Sequence, residues 1–136
     1  MVENSTYPGF TVEDEHLLNS CLYSYNAIQN IVAKETNPNY KSVDGVLYTK
    51  DLKEMVYVSS GRTNEVILPE GVETIKDDSV YWSQVGRKIS KMYIPQSVVN
   101  ISDNTIQRIN SFVKIVEVSE NNPVFTVDAN NKLIKK

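Results

Sequence analysis

The chain has 136 residues, 40% of them hydrophobic, and a formal net charge of −3, which allows one domain with an ordinary core. No run approaches the roughly 18 apolar residues of a membrane span. The acidic balance and five scattered glycines argue against a phosphate-tracking nucleic-acid groove and against a glycine-rich phosphate loop.

Residues 1–10 read as an N-terminal arm. Met1-Val2-Glu3-Asn4-Ser5-Thr6 has neither the basic start nor the apolar centre of a signal peptide, and Tyr7-Pro8-Gly9-Phe10 supplies breakers with two aromatic anchors. Residues 11–136 form a single predicted domain. It opens with Thr11 capping a helix over about 11–24, a closure for the exposed apolar end of whatever stacks behind it. Leu17-Leu18-x-x-Cys21-Leu22-x-x-Tyr25 has the spacing of a buried helical stripe, so Cys21, the one cysteine, reads as a small core residue without a disulfide partner. His16, the one histidine, follows Glu13-Asp14-Glu15 in a solvated acidic first turn. Consecutive helix positions point in different directions, so no metal site is expected there.

A strand is predicted near Ile31-Val32-Ala33, then a hairpin over about 44–58 that pairs Gly45 to Thr49 with Glu54 to Val58 and is braced by Tyr48 and Tyr57. After a loop at Ser59-Ser60-Gly61-Arg62-Thr63-Asn64 the best repeats occupy about 64–114. Leu68-Pro69-x-x-Val72-x-x-Ile75 returns twenty-six residues later as Ile94-Pro95-x-x-Val98-x-x-Ile101. A fixed period in the twenties describes stacked units, each burying its apolar edge against its neighbours. Val66-Ile67-Leu68 and Met92-Tyr93-Ile94 precede the prolines, and Val116-Glu117-Val118 follows after twenty-four residues. Period-two alternation sends Ile67, Tyr93 and Glu117 outward in one column, which Val32 extends if the N-terminal strand joins. Proline ends each strand because it has no N–H to pair. Glu70-Gly71 and Gln96-Ser97 fit turns, while Asp77-Asp78-Ser79 and Asp103-Asn104-Thr105 fit caps of short helical or 3₁₀ turns. Val80 and Ile106 are placed to plug the core. Between the copies, Tyr81-Trp82-Ser83-Gln84-Val85-Gly86-Arg87-Lys88 departs from uniformity: Trp82 either covers the hydrophobic edge or, with Tyr81 and Arg87, anchors a partner. Finally Asn122-Pro123-Val124-Phe125 echoes Asn37-Pro38-Asn39-Tyr40 eighty-five residues on, and each copy runs into Val-Asp, at Val43-Asp44 and Val127-Asp128.

The Ile-Pro-x-x-Val-x-x-Ile pattern followed by a capped turn resembles the BspA-type, or Treponema pallidum-type, leucine-rich repeat. Ser79-Val80, Thr105-Ile106 and His16-Leu17 stand where that family often has Ala-Phe. Asp44-Gly45-Val46-Leu47-Tyr48, within the stretch from Asn37 to Asp51, is similar to the family's interspersed hairpin, and the motifs cover most of the chain from Thr11 onward. The resemblance implies a β-rich α/β fold, a right-handed leucine-rich-repeat solenoid with short helical turns and an inserted hairpin. It also implies adhesion or other protein contacts instead of catalysis, with no cofactor.

Charge is unevenly spread: thirteen acidic against six basic residues up to Val85, and four against eight from Gly86. Steering of a protein partner, or end-to-end association with a second copy, is the functional expectation at the basic end; solvation of both ends explains the same charges. Candidate contact residues are Val32, Ile67, Tyr93, Glu117, Tyr81, Trp82 and Arg87; no catalytic residue, metal, nucleic acid or membrane insertion is expected. Two functions stay open. One is an adhesion module from a bacterial surface protein, of which this chain is a fragment; Lys132-Leu133-Ile134-Lys135-Lys136, which resembles the start of the hairpin strand at Val46-Leu47-Tyr48-Thr49-Lys50, favours it. The other is an intracellular inhibitor or adaptor carried on a mobile element, cytoplasmic if the chain is complete.

Overall fold

Val66 and Leu68 are 1% and 2% exposed, whereas Ile67 between them is 51% exposed, the pattern of a strand with one covered face. A computed structural model describes residues 9–12, 30–58, 63–77, 79–80 and 89–136. Its elements in chain order are β1 (Gly9–Val12), β2 (Asn30–Ala33), β3 (Tyr40–Val43), β4 (Val46–Thr49), β5 (Glu54–Tyr57), β6 (Val66–Ile67), β7 (Thr74–Ile75), β8 (Met92–Ile94), β9 (Asn100–Ile101), α1 (Asp103–Phe112), β10 (Val116–Val118), β11 (Phe125–Val127) and β12 (Leu133–Lys135).

The repeat becomes two parallel ladders. In the first, β6, β8 and β10 pair in register, Val66 with Met92 with Val116 and Ile67 with Tyr93 with Glu117. The second joins β5, β7 and β9, with Met55, Ile75 and Ile101 in one row. Between them a turn closes at each proline: Val72 N–H donates to the Pro69 carbonyl and Val98 N–H to the Pro95 carbonyl, both at 3.3 Å. Gly71 takes a positive φ of 105°, which glycine alone adopts cheaply. The turns are stitched to one another. Ser97 Oγ accepts from Gly71 N–H at 3.0 Å and donates to the Val72 carbonyl at 2.7 Å. Leu68, Val72, Ile75, Met92, Ile94, Val98 and Ile101 fill the interior, and an apolar interior is the main source of stability in such a fold.

Several expectations are modified. Gly9–Val12 is a strand pairing parallel with Asn30–Ala33, so Phe10 does not end an arm and Thr11 does not cap a helix; an aromatic and β-branched run gains more from a ladder than from a helix start. The rest of the expected closure, with His16 and Cys21, lies outside the described residues. The hairpin is the second half of a three-stranded antiparallel meander, because β3 pairs with β4 across Asp44 and Gly45, whose φ values of 51° and 80° suit a tight two-residue turn. Tyr48 and Tyr57 are both buried in it. The turn after the second repeat is a ten-residue helix, capped by Ser102, whose Oγ accepts from Thr105 N–H at 3.2 Å. Val80 is buried as expected, but Thr105 and Ile109 are the fully buried positions of α1 and Ile106 is only half-buried.

The eighty-five-residue echo is a structural repeat. Asn37 Oδ1 accepts from the N–H groups of Asn39 and Tyr40, at 2.9 and 3.0 Å. Asn122 Oδ1 does the same for Val124 and Phe125, both at 2.8 Å. Each asparagine opens an antiparallel hairpin, β3 with β4 and β11 with β12.

Candidate functional site

The outward face of the first ladder is the best candidate for a contact surface. Alternation along β6, β8 and β10 places Ile67, Tyr93 and Glu117 side by side, with rungs about 4.8 Å apart. Continuing the same register two residues upstream places Glu65, Lys91 and Ile115 in a second column. Ile67 and Ile115 are 51% and 54% exposed and Tyr93 is half-buried. Lys91 Nζ lies 2.9 Å from Glu117 Oε2, forming an ion pair across the two columns. The hydrogen bond and charge of Glu117, with a smaller contribution from Glu65, hold the Lys91 ammonium above its ordinary value. The face is therefore a mosaic of three apolar and three charged side chains.

Val32 does not extend the column. It is half-buried in β2, which belongs to a separate two-stranded sheet with β1. The first hairpin turns back over the edge where the next strand would pair: Ile31 N–H donates to the Gly45 carbonyl and Ala33 N–H to Ser42 Oγ, both at 2.9 Å. Tyr81, Trp82 and Arg87 lie outside the described residues. The column of Glu65, Lys91 and Ile115 was missed in the sequence, although the same twenty-six and twenty-four residue offsets relate its members and would have found it.

On the second ladder, Glu54, Thr74, Asn100, Val124, Phe125 and Lys135 help to line an open groove of about 650 Å³. Its polar floor is internally bonded, with Asn100 Nδ2 donating to Thr74 Oγ1 at 3.3 Å. Among the described residues no group of three or more His, Cys, Asp or Glu side chains is placed to hold a metal ion. Also among them, no helix is long and apolar enough to cross a membrane.

Parallel ladders of short strands, offset by twenty-six and twenty-four residues and joined through tight turns, give the chain a fold of the leucine-rich-repeat type. Among solved structures it is similar to the pneumococcal vaccine antigen PcpA, with a TM-score of 0.50 and 16% identity over 68% of this chain and 22% of that one. It is also similar to a leucine-rich repeat protein from Eubacterium ventriosum, with a TM-score of 0.47 and 17% identity over 72% of this chain and 32% of that one. The chain thus spans less than a third of either protein, and likeness at such identity shows the fold alone. No protein-family model matches the chain, and no curated protein matches it.

Proposed function

We propose that this chain is a non-catalytic protein-interaction module, a piece of a BspA-like right-handed solenoid that works in adhesion at a bacterial surface and takes no cofactor. The observation that carries the reading is the mosaic face of the first ladder. Exposed Ile67 and Ile115 flank Tyr93, and the Lys91 and Glu117 ion pair lies among them. Contacts of this kind combine apolar anchors with charges that fix register, and a backbone already held in a ladder lowers the ordering cost of binding. The adhesion part rests on the resemblance of the Asn37 to Asp51 stretch to the interspersed hairpin of that family.

A photo-crosslinking amino acid in place of Tyr93 tests it, with Asn100 on the other ladder as the control position. Incubated with biotin-labelled host-cell surface proteins, the Tyr93 variant should give discrete adducts that the Asn100 variant does not. Ile67→Lys together with Ile115→Lys should remove those adducts while leaving the melting temperature nearly unchanged, since exposed substitutions alter stability by only about 0.5 kcal/mol. Equal labelling from both positions would mean that the face is not the contact.

A further inference from the structure

A parallel ladder grows by one rule, and its last strand should obey it. In the first ladder Val66 N–H donates to the Lys91 carbonyl at 2.7 Å and Leu68 N–H to the Tyr93 carbonyl at 3.2 Å, and Met92 N–H donates to the Ile115 carbonyl at 2.9 Å. By the same alternation the N–H groups of Val116 and Val118 face away from β8, toward the place of a next strand. Edge strands of this kind recruit other chains unless something covers them.

A side chain occupies that place at Val116. Asn131 Oδ1 accepts from Val116 N–H at 2.9 Å, and Asn131 Nδ2 donates to the Val116 carbonyl at 2.8 Å. One carboxamide thereby makes both bonds that a neighbouring strand would make. The first hairpin covers β2 at the equivalent residue, Ile31, with the backbone carbonyl of Gly45. It covers the next outward amide as well, through Ser42 Oγ on Ala33 N–H. In the second hairpin the position of Ser42 is held by Val127, since Ser42 pairs with Leu47 as Val127 pairs with Leu133, and a valine side chain offers no acceptor. The cover over β10 thus depends on Asn131 more heavily than the cover over β2 depends on any one side chain.

We propose that the two hairpins are edge caps that end strand stacking. In the second, the Asn131 carboxamide stands in for a strand and keeps β10 from pairing with a second copy of this chain. The strand excluded is β6 of that copy. It is the other outer strand of the same ladder, so repeating the Val66, Met92, Val116 register across the junction produces a head-to-tail contact. Asn131 sits at a φ of 60°, which explains why an asparagine can reach this position and why glycine can replace it without backbone strain.

Asn131→Gly is therefore the clean test, read by sedimentation velocity across a hundredfold concentration range and by amide hydrogen exchange in the full chain. The proposal expects the Val116 amide to exchange at least tenfold faster than in the parent at low concentration. It also expects the average mass to rise with concentration well above the parent's. The rise should persist at high salt, because backbone pairing is not screened as a charge contact is. Adding Val118→Pro, which removes the next outward N–H, should return the mass to the parent's value. An unchanged Val116 exchange rate, or faster exchange with a mass equal to the parent's at every concentration, overturns the proposal. Should Asn131→Gly lose its fold, Asn131→Ala, which removes both the acceptor and the donor, is read by the same two measurements against the same two outcomes.

Discussion

The carboxamide of Asn122 makes four hydrogen bonds while fully buried. Its Oδ1 accepts from Val124 and Phe125 as described, and its Nδ2 donates to the carbonyls of Pro95 and Val98 at 2.9 and 2.8 Å. A buried polar group is tolerated when it is satisfied in this way, and here it ties the second hairpin to the turn of the preceding repeat. Ser79 is the opposite case: it is 0% exposed, and its Oγ finds no hydrogen-bond partner among the described residues. A buried hydroxyl without a partner costs roughly 1–3 kcal/mol, so Ser79→Ala should raise stability by about 1 kcal/mol and the melting temperature by several degrees. A lowered melting temperature in a thermal scan would show that the hydroxyl is bonded. The asparagine echo was legible as a spacing, but the bridge to Pro95 and Val98 was not, because a carboxamide's donors leave no trace in sequence.

At the level of elements, the strands of the first ladder were the most readable. Val66-Ile67-Leu68 and Met92-Tyr93-Ile94 announce their faces by alternation. The helix Asp103–Phe112 is longer than the brief turn its caps suggest, and Ile106, Ile109 and Phe112 give it an apolar stripe at helical spacing that packs on the core. Polar tertiary contacts hold it as well. Asn110 Oδ1 accepts from Leu133 N–H at 2.7 Å and its Nδ2 donates to the Leu133 carbonyl at 3.1 Å. At the helix start, Ser102 Oγ and Thr105 Oγ1 both donate to Asp77 Oδ1, the second at 3.0 Å. The Ser102 bond first, then the Thr105 bond, lower the Asp77 pKa below its ordinary value near 3.8. These donors favour the carboxylate, so their stabilisation is present above that ordinary value and is lost as pH falls through the lowered one. Ser102→Ala should therefore lower the melting temperature at neutral pH, also through loss of the helix cap. The gap between parent and variant should narrow below about pH 4, near the ordinary carboxylate range. A gap that is constant from pH 7 to pH 2.5 would assign the whole loss to the cap.

For the whole molecule, stability is collective: each repeat covers its neighbour and none has a closed core of its own. Ile94 sits at the centre, 0% exposed, within the continuous apolar cluster that runs from Val46 to Leu133. Ile94→Asp buries an unpaired carboxylate at a cost of several kcal/mol, a large share of a small domain's stability. The variant should be unfolded by circular dichroism at 25 °C. A folded variant with normal strand signal would show that the inward register is mistaken.

Residue periods and local turn chemistry were enough to establish the repeat, the inward and outward faces of its strands, one hairpin and the eighty-five-residue echo; that each copy of the echo opens a hairpin emerged from strand pairing. How far each ladder runs depends on contacts between segments remote in the chain. Val32 has the composition of a column residue, yet β2 is separated from β6, β8 and β10 because a hairpin places Gly45 and Ser42 on its outward amides. Asn131 closes β10 in the same manner from fifteen residues away. Where a ladder stops is settled by which distant group meets a strand's free N–H and carbonyl, and the strand's own residues carry no record of that encounter.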